Sequence, residues 1–584
     1  MEKEKLGTTC ILFAAAAVIF SVYLLTASPS IAGGDSGELV AEGCSLGTAH
    51  PPGYPLFTMM VYTLKEWIPF LPETASVAYR VNISSGFFTS AAAYLIGEMV
   101  ALFPGRPHDI SGSLFGMMMF AFSPLIWQYA VTAEVFPMNT FFASLLCYQT
   151  LLFARKRDFS IALVGAFLCG LALCNQHTII LFEAPLMLWM AWLLRNYIIA
   201  KPISLLQLSL AFIGGLLPYL YIPLAAHLNP THGSWGYVKT LEGFLHHFLR
   251  KDYGTFQLFS GSSEKEVEGF ALRTKSYLKD VYSVQGLYVS LPLALLGALM
   301  TLVTTWAVLH ELRATEKSHS CGNLGKGSTA NGKSKRAKLE NQQAVVEKLS
   351  PVDGGHSPVT LISKEESIFT AVALIFTFLF YFIIFHSLAN LPLRDDLLYG
   401  IHQRFWMQPN VLLFTLAGVG FNYFMYAFFF TFTFLFKLLF HNTERGKGGV
   451  QKMSISDRKI ADRTANDMGK SKDLTFHPSS SSASSASSAS SNVFAQISLR
   501  NVCGVLLSLL LALYQHDKWY FVSDQSDAYS FKQYASAVLE PLPTGAVLLI
   551  NYDMLWTSIR YMQECEGFRK DVTSINLSMM TYEW

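Results

Sequence analysis

Long apolar runs recur along the whole chain, and this pattern constrains the fold more than any other feature. The first runs from Cys10 to Thr26, and comparable runs follow as far as residue 514. A run of about 20 residues with almost no charge has the length of a helix that crosses a bilayer. Because 52% of the 584 residues are apolar and 45 are Phe, the chain has too much apolar surface for a soluble core. We therefore predict an all-α polytopic membrane protein.

The sequence contains about eleven candidate spans. Residues 405–440 are too many for one upright span and few for two, so we predict one long or kinked passage there. Residues 56–71 carry Lys65 and Glu66 among apolar residues, which favours an amphipathic helix at the membrane interface over a span. The candidate spans are Cys10–Thr26, Val81–Phe103, Ile110–Ala130, Pro137–Ala154, Ser160–Leu173, Thr178–Leu194, Leu205–Leu224, Gly286–Leu309, Ser367–Leu388, Phe405–Phe440 and Val493–Tyr514.

Basic residues gather on one side of these spans. The basic run 155–157 and two polar inserts fall on this side, whereas the turns at Glu134 and His177 fall on the other. Because cytosolic loops of membrane proteins carry an excess of Lys and Arg, we predict that the basic side is cytosolic. The first span is then a retained signal-anchor with a cytosolic N-terminus, and the loop 225–285 and the C-terminus are lumenal.

Composition also divides the chain into parts. Both polar inserts lack an apolar period, which is typical of a disordered insert or a linker. The C-terminal part has soluble character, with a strand predicted at Ala546–Asn551 and a helical turn at Ser558–Cys565, so we expect a small α/β region. The predicted parts are a membrane module at 1–309, a disordered cytosolic insert at 310–366, a membrane module at 367–441, a low-complexity cytosolic linker at 442–492, a last span at 493–514 and a lumenal region at 515–584.

Charge and cysteine usage exclude other classes of function. Lys and Arg total 43 against 41 Asp and Glu, and a net charge of +2 gives no global field that would recruit nucleic acid. The eight cysteines show no Cys-x-x-Cys spacing, which argues against a metal site or a disulfide framework. Only Cys44 and Cys565 are expected to be lumenal, and the sequence gives little ground for pairing them. It leaves the oligomeric state open.

The polar exception is the segment Gly33–Glu38, GGDSGE, which follows the first span and which we term the acidic motif. Its glycines allow tight turns that let the carboxylates of Asp35, Glu38 and the nearby Glu42 converge, which is a setting suited to a general base. The alternative is a solvated loop in which Asp35 or Ser36 caps a helix.

A second unusual segment follows at His50–Pro55, HPPGYP, which we term the proline motif. Its three prolines and one glycine fix a rigid, non-helical path that presents His50 and Tyr54. Irregular backbone near a membrane usually lines a site or a cavity, so both side chains are candidates for lining one.

The two motifs in this order resemble the first lumenal loop of multi-spanning glycosyltransferases of the GT-C superfamily. They are most similar to endoplasmic-reticulum protein O-mannosyltransferases that modify IPT domains of plexins and related receptor tyrosine kinases. The resemblance covers nearly all of the chain except the polar inserts. Members continue beyond the residue that ends this chain, which suggests a short form. Further stretches that carry the resemblance are Ala133–Phe136, Trp235-Gly236 before Tyr253-Gly254, and Arg404–Met407.

The resemblance implies a reaction and a membrane. Mannose passes from dolichyl-phosphate mannose to Ser or Thr hydroxyls of lumenal proteins at the endoplasmic-reticulum membrane, with Asp35 as base and Glu38 in support. An arginine at the lumenal boundary can bind the donor phosphate, so Arg404 is the first candidate and Arg80 a weaker one. The alternative for Arg404 is an interface anchor. Dolichyl phosphate is a better leaving group in the absence of a metal than a nucleotide diphosphate is. We therefore predict that no metal or other cofactor is required.

Three more residues are candidates for lining the site. Glu134 lies in the pattern that the family shares, although an acid at a helix end is otherwise unremarkable. His177 follows Asn175 and Gln176 between two apolar runs, where a simple turn is the alternative, and Trp235 lies in the long lumenal loop. Asn576-Leu577-Ser578 is a glycosylation sequon, a triplet that also arises by chance.

Two other classes of function fit part of the pattern. A transporter or lipid-linked sugar flippase would share the many spans and the intramembrane polar residues. It should gather those residues near the midplane of two repeats, whereas here they gather in predicted lumenal loops and no repeat is evident. A non-catalytic scaffold that uses the C-terminal region is the third possibility.

Overall fold

In the computed structural model the chain is mostly helical, and the predicted polytopic architecture is confirmed. Eight helices of the described residues are long and apolar enough to cross a membrane, or ten spans if two bent pairs are counted. Each of the predicted runs lies on one helix or on a bent pair of helices. The run at α8 (Phe159–Leu173) has a helix of 15 residues, which is too short to count among the candidate spans. The structure describes residues 2–66, 75–105, 109–229, 233–252, 254, 268–322, 364–444 and 483–581.

The N-terminal helices follow one another with short connections, and the predicted interface helix is present as α3. They are α1 (Glu2–Thr26), α2 (Ser36–Ser45), α3 (Pro55–Glu66), α4 (Val77–Leu102), α5 (Ile110–Ala121), α6 (Pro124–Ala130), α7 (Val135–Lys156), α8 (Phe159–Leu173), α9 (Ile180–Ala200), α10 (Ile203–Gly215) and α11 (Tyr221–Leu228).

The remaining elements include a small parallel sheet of two strands, in which Val547 pairs with Thr573 and Ile550 with Asn576. They are α12 (Leu241–Phe248), α13 (Phe270–Asp280), α14 (Ser290–Gly322), α15 (Lys364–Leu388), α16 (Asp396–Arg404), α17 (Met407–Glu444), α18 (Ala483–Ser523), α19 (Ser530–Leu539), β1 (Val547–Ile550), α20 (Asp553–Glu564) and β2 (Thr573–Asn576).

Two predicted spans are bent. Between α5 and α6 the axis turns by 66°, because Ser123 takes an extended backbone and Pro124 begins a new helix. A proline inside a continuous helix would remove a hydrogen bond and clash with the preceding turn. Between α10 and the 3₁₀ turn that leads into α11 the bend is 44°. Each of these two predicted spans is therefore a bent pair of helices rather than one continuous helix.

The polar inserts are shorter than predicted where the structure describes them. Helix α14 continues through residues 310–322, α15 begins at Lys364, and α18 begins at Ala483, so the outer parts of both inserts are helical. Residues 323–363 and 445–482 lie outside the described residues. The predicted single passage after Phe405 is the continuous helix α17, whose apolar span is Met407–Phe436.

The chain forms two compact units, residues 1–423 with 507–584, and residues 424–506. The smaller unit contains the end of α17 and the beginning of α18, where the Arg500 guanidinium lies 5.8 Å from the centre of the Tyr426 ring. All residues of the candidate site belong to the larger unit.

The C-terminal region is docked on the acidic motif. The predicted strand is present as β1, although only Ile550 of its four residues is buried, and the predicted helical turn is the longer helix α20. A disulfide joins Cys44 in α2 to Cys565 directly after α20. A Cβ on Gly37 would lie 2.8 Å from the backbone oxygen of Thr557, so only glycine allows this approach of α20 to α2.

Candidate active site

The acidic motif turns tightly at Gly34, whose φ is +76°. A Cβ there would lie 2.9 Å from Oε1 of Glu134 and 3.1 Å from Nη2 of Arg404, so the position requires glycine for both backbone and space. Asp35 follows at the N-cap position of α2, yet its side chain makes no capping hydrogen bond. The capping alternative therefore describes where Asp35 lies in the helix but not what its carboxylate does.

Asp35, Glu134 and Arg404 form one ion cluster. Nη1 of Arg404 donates to Oδ2 of Asp35 at 2.6 Å and lies 3.6 Å from Oε1 of Glu134. The same Oε1 accepts a hydrogen bond from the backbone N–H of Asp35 at 3.2 Å. The side chain of Asp35 is 39% exposed, whereas those of Arg404 and Glu134 are 8% and 2% exposed. Asp35 is thus the solvent-facing member of the cluster.

One guanidinium between two carboxylates separates their pKa values. Burial disfavours the charged form of Asp35, but the Arg404 guanidinium and the His50 ring outweigh it and hold the pKa of Asp35 below its ordinary value. For Glu134 burial is stronger than the attraction of Arg404, and repulsion from Asp35 adds to it, so the pKa of Glu134 is raised. At neutral pH this favours an ionised Asp35 beside a protonated Glu134.

Glu38 and the proline motif form a second polar group. Glu38 accepts from the backbone N–H of His50 at 2.7 Å, and its Oε2 lies 3.0 Å from Nδ1 of His50. Nε2 of His50 lies 3.1 Å from the Tyr54 hydroxyl. Burial lowers the pKa of His50, but the charge and hydrogen bond of Glu38 together with the charge of Asp35 outweigh burial and raise this pKa to about 9. A protonated His50 then donates from both ring nitrogens, to Glu38 and to Tyr54.

The path of the proline motif depends on one glycine. Gly53 has a φ of +94°, and a Cβ there would lie 2.7 Å from Cδ1 of Ile222 and 3.2 Å from Nε2 of His247. That nitrogen of His247 lies 3.1 Å from the Ala49 carbonyl oxygen, which places α12 directly against the loop. The Pro51–Pro52 peptide is cis.

Of the other predicted site residues, one lies beside the proline motif and two make contacts elsewhere. The Trp235 ring lies 6.2 Å from that of His50, so Trp235 flanks the proline motif, and its role in lining a site stays a prediction. His177 lies with Tyr219 and the Phe248 ring, with its Nε2 2.6 Å from the Tyr219 hydroxyl. Arg80 instead donates to the Lys65 carbonyl at the end of α3, a structural contact away from the ion cluster.

The predicted glycosylation site is unfavourable in the folded chain. Asn576 ends β2, is 6% exposed and accepts a hydrogen bond from the backbone N–H of Ser578 through its side-chain oxygen. A glycan on the amide nitrogen requires open space around this side chain. The geometry therefore weighs against Asn576 as an acceptor once β2 has formed.

Sequence reasoning missed the buried pair that fixes α2. Glu42, fully buried, accepts from Nη2 of Arg560 at 2.5 Å and from the Ser234 hydroxyl at 2.6 Å. Burial raises the pKa of Glu42 to about 7, against the attraction of Arg560. Glu42 lies one helical turn after Glu38, which is a weak sequence signal, but nothing in the sequence identifies Arg560 as its partner.

Known proteins support the relation suggested by the motifs. Residues 35–198 match the family described as protein O-mannosyl-transferase TMEM260 N-terminal domain. This segment contains Asp35 to Glu38 of the acidic motif, the whole proline motif, Glu134 and His177, whereas Trp235 and Arg404 lie beyond it.

Two relatives extend the similarity over almost the whole chain. Protein O-mannosyl-transferase TMEM260 of Mus musculus is 29% identical over 577 residues, which cover 97% of this chain and 62% of the relative. The protein O-mannosyl-transferase tmem260 of Dictyostelium discoideum is 28% identical over 597 residues, covering 100% and 59%. The chain thus spans about three fifths of the length of these TMEM260 relatives, and the predicted resemblance to protein O-mannosyltransferases is confirmed.

Among solved structures, ArnT from Cupriavidus metallidurans bound to undecaprenyl phosphate is similar to the chain. The TM-score is 0.44 with 11% sequence identity, and the alignment covers 98% of this chain and 90% of ArnT.

Proposed function

We propose that this protein transfers mannose from dolichyl-phosphate mannose to Ser or Thr hydroxyls of lumenal protein domains. The observation that carries the proposal is the ion cluster, in which a partly exposed carboxylate is held ionised by a buried arginine. Glu134 directly precedes the span of α7, and Arg404 lies just before the span of α17. Both residues therefore lie where a span begins, at the boundary of the membrane. A catalytic carboxylate at the membrane boundary can contact both a lipid-linked donor and a water-soluble acceptor. The relatives named protein O-mannosyl-transferase support the same reaction.

Asp35 is proposed as the general base. Of the two carboxylate oxygens of Asp35, only Oδ2 accepts a hydrogen bond from Arg404 in the described part of the chain. Oδ1 is therefore left to accept the proton of the acceptor hydroxyl. As that proton moves to Oδ1, the acceptor oxygen forms a bond to the anomeric carbon of mannose. The bond from this carbon to the phosphate oxygen breaks, and dolichyl phosphate leaves with the electron pair. Attack opposite the leaving group inverts the anomeric configuration.

The geometry gives Arg404 a further task beside the predicted binding of the donor phosphate. Its guanidinium is already engaged by Asp35, so it orients the base and keeps it ionised. Charge on the leaving phosphate also requires a cation, and a protonated His50 is a second candidate for that role. We propose that Arg404 and His50 together compensate this charge, without a metal ion.

The acceptors, the compartment and the orientation belong to the same proposal. IPT domains of plexins and related receptor tyrosine kinases are the proposed acceptors, on the resemblance alone. The multi-pass chain is proposed to lie in the endoplasmic-reticulum membrane with a cytosolic N-terminus and a lumenal C-terminus. The basic run that ends α7 at Arg155 and Lys156 supports this orientation.

Asp35→Asn tests the proposal directly. The amide is nearly isosteric, so insertion and folding should survive while proton abstraction fails, and transfer should fall about a hundred- to ten-thousand-fold. Transfer is measured with purified protein, radiolabelled dolichyl-phosphate mannose and a panel of folded lumenal domains, normalised to inserted protein. A transfer rate near that of the wild type would show that Asp35 is not the base.

A further inference from the structure

A group of buried amide side chains lies next to the ion cluster and has open hydrogen-bonding atoms. Asn139, in the second turn of α7, is 0% exposed, and neither its Oδ1 nor its Nδ2 has a partner among the described residues. The hydroxyl of Thr140 beside it is also unpartnered in that part of the chain. Both residues lie inside the apolar span of α7.

Two other segments bring amides to the same place. Nδ2 of Asn175 donates at 3.0 Å to the carbonyl of Val135, one helical turn before Asn139. Nε2 of Gln408 lies 3.1 Å from the Thr178 hydroxyl and 3.4 Å from Oε1 of Gln176. The turn 175–178 therefore links the beginning of α7 to the beginning of α17. We term Asn139, Asn175, Gln176 and Gln408 the amide cluster.

The amide cluster is costly in a chain without a ligand. Asn175 and Gln408 are 0% exposed, and each leaves its side-chain oxygen without a partner among the described residues. A buried polar atom that makes no hydrogen bond costs about 1–3 kcal/mol. Native structures contain few such atoms, and polar side chains within spans tend to mark substrate pathways. Four open atoms on three neighbouring segments therefore indicate a polar occupant.

The open atoms continue from the ion cluster. Glu134 directly precedes α7, and its Oε2 is a further buried oxygen without a partner among the described residues. Asn139 lies about 6 Å further along the helix axis, at 1.5 Å per residue from Val135. Arg404 is the last residue of α16, and Gln408 is the second residue of α17, which begins at Met407. A ligand in the amide cluster is thus within reach of Asp35.

We infer that the amide cluster binds the hydroxyl groups of the sugar that the lipid donor carries. This inference rests on the proposed function. An amide offers both a donor and an acceptor, as a sugar hydroxyl does, so the two match without any net charge. The cluster contains no cation, which suits an uncharged sugar better than a phosphate. Ordered water is the competing occupant, since it also supplies donors and acceptors.

Two variants test the inference, Asn139→Leu and Gln408→Leu, which keep side-chain bulk and remove the hydrogen-bonding atoms. The controls are Ser144→Ala on α7 and Thr415→Val on α17, whose buried hydroxyls bond to their own helices through the carbonyls of Thr140 and Val411. We expect the Leu variants to raise the KM for dolichyl-phosphate mannose about tenfold or more. They should also discriminate less between mannosyl and glucosyl donors. The controls should change neither quantity.

Thermal stability separates a ligand site from a structural one. Because replacing an unsatisfied polar group by an apolar one is nearly neutral or stabilising, Asn139→Leu should unfold at the same or a higher temperature. Gln408→Leu also loses the Nε2 contacts with Thr178 and Gln176, so the stability test uses Asn139→Leu alone. Reduced stability with an unchanged donor KM would show that the amides are structural. Unchanged stability, KM and donor selectivity would show that they hold only water. Either result overturns the inference.

A binding measurement keeps this test separate from that of the proposed function. Stabilisation of the wild type by dolichyl-phosphate mannose is compared with that by dolichyl phosphate, and the difference reports on the sugar alone. We expect this difference to disappear in Asn139→Leu. If the wild type binds the sugar but transfers none, the proposed transferase reaction fails while the inference stands. If the wild type transfers mannose and Asn139→Leu keeps the full difference, the inference alone fails.

Discussion

Gly34→Ala should reduce the proposed mannose transfer through altered geometry of the site rather than through unfolding. A Cβ at residue 34 would lie 2.9 Å from Oε1 of Glu134, well inside the 3.4 Å at which ordinary contact begins, so the carboxylate must move by about half an ångström. Left-handed backbone adds about 1–2 kcal/mol for a residue with a Cβ. A misplacement of about 1 Å can cost a hundredfold in rate, so we expect transfer to fall about ten- to a hundredfold.

Gly545→Ala is the matched control. Gly545 has a φ of +74°, close to the +76° of Gly34, but a Cβ there would meet no atom within 4 Å. Both variants therefore carry the same backbone cost, and only Gly34→Ala disturbs Glu134 and Arg404. The assay is mannose transfer to a folded acceptor, with thermal unfolding measured in parallel. If the two variants lose stability and activity equally, the close packing around Gly34 is unimportant and the reasoning is refuted.

Three further predictions follow from the site and the topology. Arg404→Lys keeps the charge but loses the planar guanidinium, so kcat should fall because Asp35 is no longer oriented. A raised KM for the donor would also support the contact with the donor phosphate. If steady-state kinetics show both kcat and KM unchanged, Arg404 is only an interface anchor. The raised pKa of His50 gives stability that is complete below its ordinary value of about 6.5 and lost as pH rises through about 9. Unfolding temperatures of the wild type should therefore fall across this window. His50→Gln should reduce the fall, and the part that remains is attributed to Glu134, whose raised pKa also makes stability fall as pH rises to about 8. A variant with the same pH dependence as the wild type would contradict the assignment. Tags near residues 333 and 470 should be accessible to protease in sealed microsomes and a tag at the C-terminus protected, and the opposite pattern would invert the topology.

The membrane part of the fold was predictable because each span can be recognised from the residues of one short stretch of sequence. Charge-free runs of about 20 residues become helices wherever the bilayer leaves no other partner for the backbone. The bend at Pro124 was harder to predict from the sequence. A proline in the first turn of a new helix and a proline that kinks a continuous helix occur in similar sequence patterns. Local composition decides whether a run is apolar, but packing around the break decides its angle.

The motifs located Asp35, Glu38 and His50, but their partners could not be predicted. Asp35 pairs with an arginine 369 residues away, and Glu42 with one 518 residues away. No periodicity or spacing connects positions so distant, since only the packed chain brings them together. The Cys44–Cys565 disulfide closes a comparable separation of 521 residues, which is why two unspaced cysteines gave little ground for pairing.

The distant contacts explain why the C-terminal region belongs to the site rather than to a separate tail. The Arg560 guanidinium and the Ser234 hydroxyl both bind Glu42, so α20 and the loop that carries Trp235 are held to the same turn of α2. That helix begins at Asp35, and the Glu38 carboxylate one turn before Glu42 holds His50. Asp35 and the proline motif are thus both positioned by the first turn of one short helix. Since removing one partner of a buried ion pair leaves an uncompensated charge, the orientation of α2 depends on a residue more than five hundred positions away in the sequence.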